Sequence, residues 1–596
     1  MRGTWCRAVW LSALVGAGLV GTAESGPEAQ QRVEALLAEV SQAQQAQDHS
    51  RLRAAYAEIA ALRPDAPEYQ RGLGLACYLG GDYDGAIAAL QRAASLQPGL
   101  AGVSLYLGIS YYRTNRFQEA LEALERAPER DSGAPAAQFW LGATYRALGR
   151  HSEAVPLLEA AHEKAQSDAE ILLLLTRTYS EHAAGWFRQL LAVAGTSAPA
   201  RLLRAEELAM DGVDQAAMKE TDAALERDPG LIGLHLLRGQ ILWAGENFDK
   251  GADEFRRELE NDPLSAEAHL MLGAYQLDVG DASAALAHLR LARRYRPNDE
   301  VTRELLEEAM KAGGVDPAPK VPARSPEAAQ PTFEDAIGAY KRGRATEAAE
   351  LLERLLARRP ETAAARLILA RCRIAEGELR IALEQLDRVQ QKDREDPETL
   401  YLLGKTYEGL ASQAAERLFE LNPDAPGVRL LRGEAFERGP KYDFESALAE
   451  FRAAKQSSPD DPAVDQAIGR VLFKMKRFDE AVPHLEATLA WSPGHGTANY
   501  LLGKIRFLRG NRKDAIGPLR EAVRARPSLV EPRRDLATAL ALEGRLEEAI
   551  GIYEDLLTDH PTDASLHALL ATAYRRAGRI EDAKAHAERA RTAGHK

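Results

Sequence analysis

Four cations fall at one place in a repeating pattern: Arg371, Lys405, Arg470 and Lys504 each directly follow a small residue, respectively Ala370, Gly404, Gly469 and Gly503. Guanidinium and ammonium groups aligned along one face hold carboxylates through charge-assisted hydrogen bonds, so the chemistry on offer is capture of an acidic or C-terminal carboxylate peptide. Glu434 interrupts the row, and a charged helix face is also the ordinary condition of a soluble protein. In the first half of the chain the same place is mostly apolar, with Leu75, Ile109, Ala143 and Ala274, relieved by Arg177, Glu206 and Gln240. A second set is aromatic. Tyr78, Tyr112, Phe139 and Trp243, then Phe333, Tyr340, Tyr401, Phe473, Tyr500 and Phe507, recur at fixed offsets from the same small residues. Such rings anchor interfaces because they bury much area and lose little rotamer freedom; packing between repeats is their competing use.

Covalent, metal and phosphate chemistry find no seat in the pattern. The 13 histidines lack the i, i+4 pairing with an adjacent glutamate that makes a helical zinc site. Cys77 and Cys372 lie in separate halves and read as small buried hydrophobes. There is no phosphate-binding loop: Gly72 and Gly74 flank Leu73 inside a helical pattern, not after a strand. Carboxylate pairs such as Glu307 with Glu308 and Glu547 with Glu548 belong to exposed helix faces. The expectation is a protein without catalysis, cofactor or metal.

The elements that position these residues come from a period. A glycine or alanine returns every 34 residues, at Gly74, Gly108 and Gly142, at Ala205, Gly239 and Gly273, and at Gly469, Gly503, Ala537 and Ala571. Apolar residues recur three and four apart, as in Ala86, Leu90 and Ala93, which is the stripe of a helix; no segment reads as strand. Glycine inside a helix costs about 1 kcal/mol relative to alanine, so its return at one register means that two helices cross there too closely for a side chain. Leu73, Gly74, Ala86 and Pro98, and again Leu502, Gly503, Ala515 and Pro527, fill the Leu-Gly, second-helix alanine and closing proline places of one unit. On these residues the chain resembles the tetratricopeptide repeat family from about Val33 to Gly594. The resemblance implies an all-α superhelix of helix pairs that binds partners on a concave face lined by the first helix of each unit. On that face it places Tyr78, Tyr112, Trp243, Arg371, Tyr401, Lys405, Arg470, Tyr500 and Lys504. The carboxylate-clamp branch of the family adds asparagines at this register, and none stands here.

Seven units register on Gly74, Gly108, Gly142, Thr176, Ala205, Gly239 and Gly273, and eight on Ala336, Ala370, Gly404, Gly433, Gly469, Gly503, Ala537 and Ala571. The expected organisation is a signal peptide (1–23), an N-terminal helical cap (24–66), a first array (67–299), a capping helix (300–312), a linker (313–331) and a second array (332–596). The linker carries Pro317, Pro319, Pro322, Pro326 and Pro331, which forbid a continuous helix. Two steps are short: Thr176 to Ala205 and Gly404 to Gly433 are each 29 residues, and they lie 228 residues apart, as do Gly108 and Ala336. That common offset suggests duplication of a whole block. Each short stretch lacks the turn between helices, so it should tilt its neighbours and kink the solenoid, unless it is simple erosion.

With 89 acidic against 76 basic residues the net charge is −13, which repels phosphate backbones and argues against nucleic acid as a partner. Arg2 and Arg7, the apolar run Ala8 to Val20 and the small residues up to Ala23 have the form of a secretory leader, and Cys6 precedes the run, which does not fit a lipoprotein. Cleavage after Ala23 leaves no spanning segment; an uncleaved anchor is the alternative. The expected protein is exported, periplasmic or secreted, and acts as a non-enzymatic scaffold or assembly factor for proteins or peptides of the bacterial envelope. The rival readings are a binder of peptidoglycan or polysaccharide in polysaccharide export and a non-catalytic subunit of an enzyme complex.

Overall fold

Why the small residues keep their register is visible at the helix crossings. A β-carbon at Gly142 would stand 2.7 Å from the Cγ of Leu158, and one at Gly273 would stand 2.6 Å from that of Leu289, closer than carbon atoms approach. In each case the leucine comes sixteen residues later, on the second helix of the same unit. Leu158 and Leu289 are fully buried, as are Ala86, Leu90 and Ala93 in the stripe of the first complete unit. The turn between paired helices is equally local: Gly81 adopts φ 79°, and the Asp82 carboxylate accepts from the Gly85 backbone N–H at 3.0 Å to start the second helix.

The computed structural model describes residues 27–127, 134–210, 214–297, 299–313, 331–438, 443–459, 461–491, 493–525, 530–559 and 563–593. Among them are thirty-one helices and no strand. The leader at 1–23 and nearly all of the 313–331 linker lie outside the described residues. By packing the chain forms two compact units, one reaching to Leu421 and the other running Asn422–Lys596. Within each, cores run from one helix pair into the next, as where Leu105, Ile109, Leu121 and Leu124 meet Ala137 and Leu141. Such nearest-neighbour burial is what stabilises a solenoid.

A polar thread accompanies the apolar one. Tyr145 donates to Glu125 at 2.7 Å and Tyr179 to Glu159 at 2.6 Å, in both cases to the second helix of the preceding unit. Tyr574 donates to Glu554 in the same way. Arg150 and Arg579 lie over their tyrosine rings at 4.6 and 4.3 Å, which keeps each phenol oriented. At the start of the described chain, helices Pro27–Gln45 and His49–Leu62 share a core of Val33, Leu36, Leu52 and Ile59. Helix Glu300–Lys311 buries Leu306 and Ala309 against Leu286 and Leu289 and leaves Glu307 exposed.

The two short steps, counted as units in the sequence, are not helix pairs. Each is one unbroken helix, Ala169–Ala194 and Pro397–Leu421, of 26 and 25 residues. Without a glycine-aspartate turn nothing stops either helix at mid-length, and neither folds back on itself. Instead the two pack on each other, in the most extensive helix pairing of the described chain.

Candidate functional site

In the unit that reaches to Leu421, the first helices Pro67–Leu79, Val103–Arg113 and Pro135–Ala147 carry a run of rings. Tyr78 meets Tyr106 edge-on at 5.3 Å and Tyr83 at 5.9 Å. Tyr112 meets Trp140 at 5.4 Å, and Trp140 in turn meets Phe139 at 5.2 Å. Arg113 lies over the Trp140 ring at 5.0 Å. Tyr78, Tyr106, Tyr112 and Trp140 are all half-buried. Burial pushes the Tyr112 phenol up, and Arg146 and Arg113 beside it act the other way. Trp243 stands further on, edge-on to Phe248 at 4.9 Å and to Tyr275 at 6.4 Å.

Tyr401 differs from the surface ring that the register suggests. It is 7% exposed and belongs to the core around the two long helices. Its hydroxyl donates to Glu206 at 2.9 Å, and burial together with that carboxylate drives its pKa well up. Lys405 reaches the same Glu206 at 3.1 Å and Glu408 at 3.2 Å.

The four aligned cations share one fate. Arg371 is paired with Glu398 and Lys405 with Glu206. In the Asn422–Lys596 unit, Arg470 grips Glu437 with two hydrogen bonds of 2.8 and 2.7 Å. Lys504 lies 2.6 Å from Asp535, which also accepts from Tyr500 at 3.1 Å. Burial pushes Glu437 up, but the hydrogen bonds from Arg470 and the nearby Lys474 outweigh it and hold the carboxyl below its ordinary value. These acids are buried: Glu437 is 2% exposed and Asp535 6%. The positive row is therefore compensated from within the chain, and the four cations are divided between the two compact units.

Tyr106 and Trp140 were not among the residues that the register selected, because they directly precede the Leu-Gly pair, one place from the chosen offset. The counter-ions were hidden for another reason. Glu437 and Asp535 are ordinary carboxylates in the sequence, and only packing reveals that they are buried. Among the described residues no group of three or more His, Cys, Asp or Glu side chains is placed to hold a metal ion. No helix among them is long and apolar enough to cross a membrane.

Comparison with known proteins gives the following. Three family models, each described as tetratricopeptide repeat, match the chain. One matches residues 79–139, 339–405 and 540–596; another 37–101, 236–300, 409–462 and 467–530; the third 135–178. No curated protein matches. Solved structures to which the chain is similar include MamA, at 18% identity over 27% of this chain and 94% of that one, with a TM-score of 0.26. MamA 41-end from Desulfovibrio magneticus RS-1 aligns at 19% identity over 28% and 95%, with a TM-score of 0.27. YrrB, titled a TPR protein with an unusual peptide-binding site, aligns at 21% over 30% and 91%, with a TM-score of 0.28. Helix pairs closed at a small-residue register, together with repeat matches spread from residue 37 to 596, give one conclusion: the chain belongs to the tetratricopeptide repeat family.

Proposed function

We propose that this protein is a non-enzymatic scaffold that grips protein or peptide partners of the cell envelope along its first-helix face. One observation carries the reading: four half-buried rings, Tyr78, Tyr106, Tyr112 and Trp140, follow one another over three successive first helices. Edge-packed rings are rigid before a partner arrives, so little entropy is lost on binding. The aligned cations contribute less than the sequence suggests, since each already holds a carboxylate. Export is supported by the leader-like residues Arg2 to Ala23.

A displayed peptide library panned on the whole protein gives ligands against which variants are measured. Tyr112→Ala with Trp140→Ala should weaken the selected peptides at least about tenfold, the effect of losing one interfacial anchor, with far-UV dichroism unchanged. Unchanged affinity would remove the face from the proposal. A soluble-glycan screen run beside it tests stacking on sugars as the rival use of the same rings. Sequencing the N-terminus of the protein recovered from its native host tests export; a mature chain starting at Glu24 is the expected result, and cytoplasmic protein retaining residues 1–23 would overturn it.

A further inference from the structure

The two long helices carry the same residue at several places at the offset of 228: Leu172 with Leu400, Leu175 with Leu403, Tyr179 with Tyr407, Ala183 with Ala411 and Leu190 with Leu418. They also touch through the matching residues. The Tyr179 and Tyr407 rings lie 6.2 Å apart, and His182 stands edge-on to Tyr407 at 4.4 Å. Tyr179, Ala183, Leu190, Tyr407, Ala411 and Leu418 are all buried.

The register glycine shows what has been traded. In an ordinary unit the glycine of the first helix faces a large residue on its own second helix, as Gly239 faces Phe255. Gly404 instead faces the ring of Phe187, more than two hundred residues earlier, in the same manner and with the same ring atoms. The second half of the first long helix thus serves as second helix for the other block. Contact between equivalent residues of two copies is the arrangement of an isologous dimer interface, and exchange of an identical element is a low-cost route to such dimers.

We propose that this seam is a self-association site closed inside one chain: the two blocks bind each other as the subunits of a dimer do, and the segment 314–330 is not needed to hold them together. Polar contacts at its margin run between the same blocks. Arg380 reaches Glu159 at 3.5 Å, and the Gln189 amide donates to the Arg394 carbonyl at 3.2 Å. A second set of contacts, Tyr340 donating to Asp262 at 2.8 Å and Tyr295 to the Gly343 carbonyl at 2.7 Å, also joins the blocks, so the test must separate the two.

The full chain is prepared with a site-specific protease sequence inserted within 314–330, cut to completion and examined by size exclusion with light scattering at low micromolar concentration. The two pieces should co-elute at the mass of the uncut chain; pieces that elute apart overturn the proposal. Gly404→Leu, which drives a side chain into Phe187, and Lys405→Glu, which sets a third carboxylate beside Glu206 and Glu408, are then cut in the same way. Each should weaken the association of the pieces at least about tenfold, while uncut Lys405→Glu keeps its helical dichroism. If the cut Lys405→Glu protein holds together as firmly as the parent, the other contacts suffice and the seam is not the association site.

Discussion

A buried imidazole that has to stay neutral is a site of acid sensitivity. His269 donates from Nε2 to the Pro263 carbonyl at 3.3 Å, which leaves Nδ1 bare to accept from His288 Nδ1–H at 2.8 Å. A proton on His269 Nδ1 places two donors face to face. His567 and His586 repeat the contact at 2.9 Å, again 19 residues apart. Burial holds His269 and His182 down at about 4, with the neighbouring imidazoles His288 and His151 adding to the effect. Because these values lie below the unfolded value of about 6.5, the unfolded chain binds more protons between the two. Stability from these groups is complete above pH 6.5 and is lost as the pH falls toward 4. For His182 alone the loss is on the order of 3 kcal/mol across that window. His182→Phe should therefore flatten the decline in denaturant midpoint between pH 7 and pH 4.5, and an equally steep decline in the variant would show that His182 is not its source.

At the level of the helix pair, propensity and packing oppose each other, and their sizes decide the outcome. Gly142→Ala gains about 1 kcal/mol of helix propensity. Its new methyl overlaps Leu158, and overpacking of that kind typically costs about 1–3 kcal/mol. The variant should melt below the parent in a thermal scan, whereas alanine at the open position Gly551 should not. This register was legible in the sequence because the demand for a small residue is local and recurs every 34 residues. The broken turns at 176–205 and 404–433 were legible as anomalies too. Their pairing was not: spacing reports what one helix needs at a crossing, and Gly404 looks the same whether the ring against it is its own unit's or Phe187. The burial of Tyr401 follows from that pairing and was hidden with it. The neutralised cations were likewise out of reach, since Arg470 and Glu437 are 33 residues apart and only the stacking of units brings them together.

Across the molecule, the net charge of −13 coexists with many internal ion pairs, of which exposed ones such as Arg32 with Glu58 and Arg520 with Glu548 are the part that salt screens, so salt should change the stability little while strengthening approach to any acidic partner. The family supplies the stacking rule, and stacking explains why a chain of 596 residues needs no single large core. The pairing of the two long helices escapes the nearest-neighbour rule, and it sets a clock on biosynthesis. When the ribosome has completed residue 194, the flank that will receive Tyr407 has no mate until some two hundred further residues are made, roughly ten to forty seconds at about 5–20 residues per second. During that interval Tyr179 and His182 lack the Tyr407 ring that packs on them and stand open to a holdase or to a neighbouring polysome. Arrested nascent chains ending shortly beyond residue 313 should accordingly be more protease-sensitive around 180–194 than chains ending beyond 460, and equal sensitivity would mean that the flank finds shelter before its mate arrives.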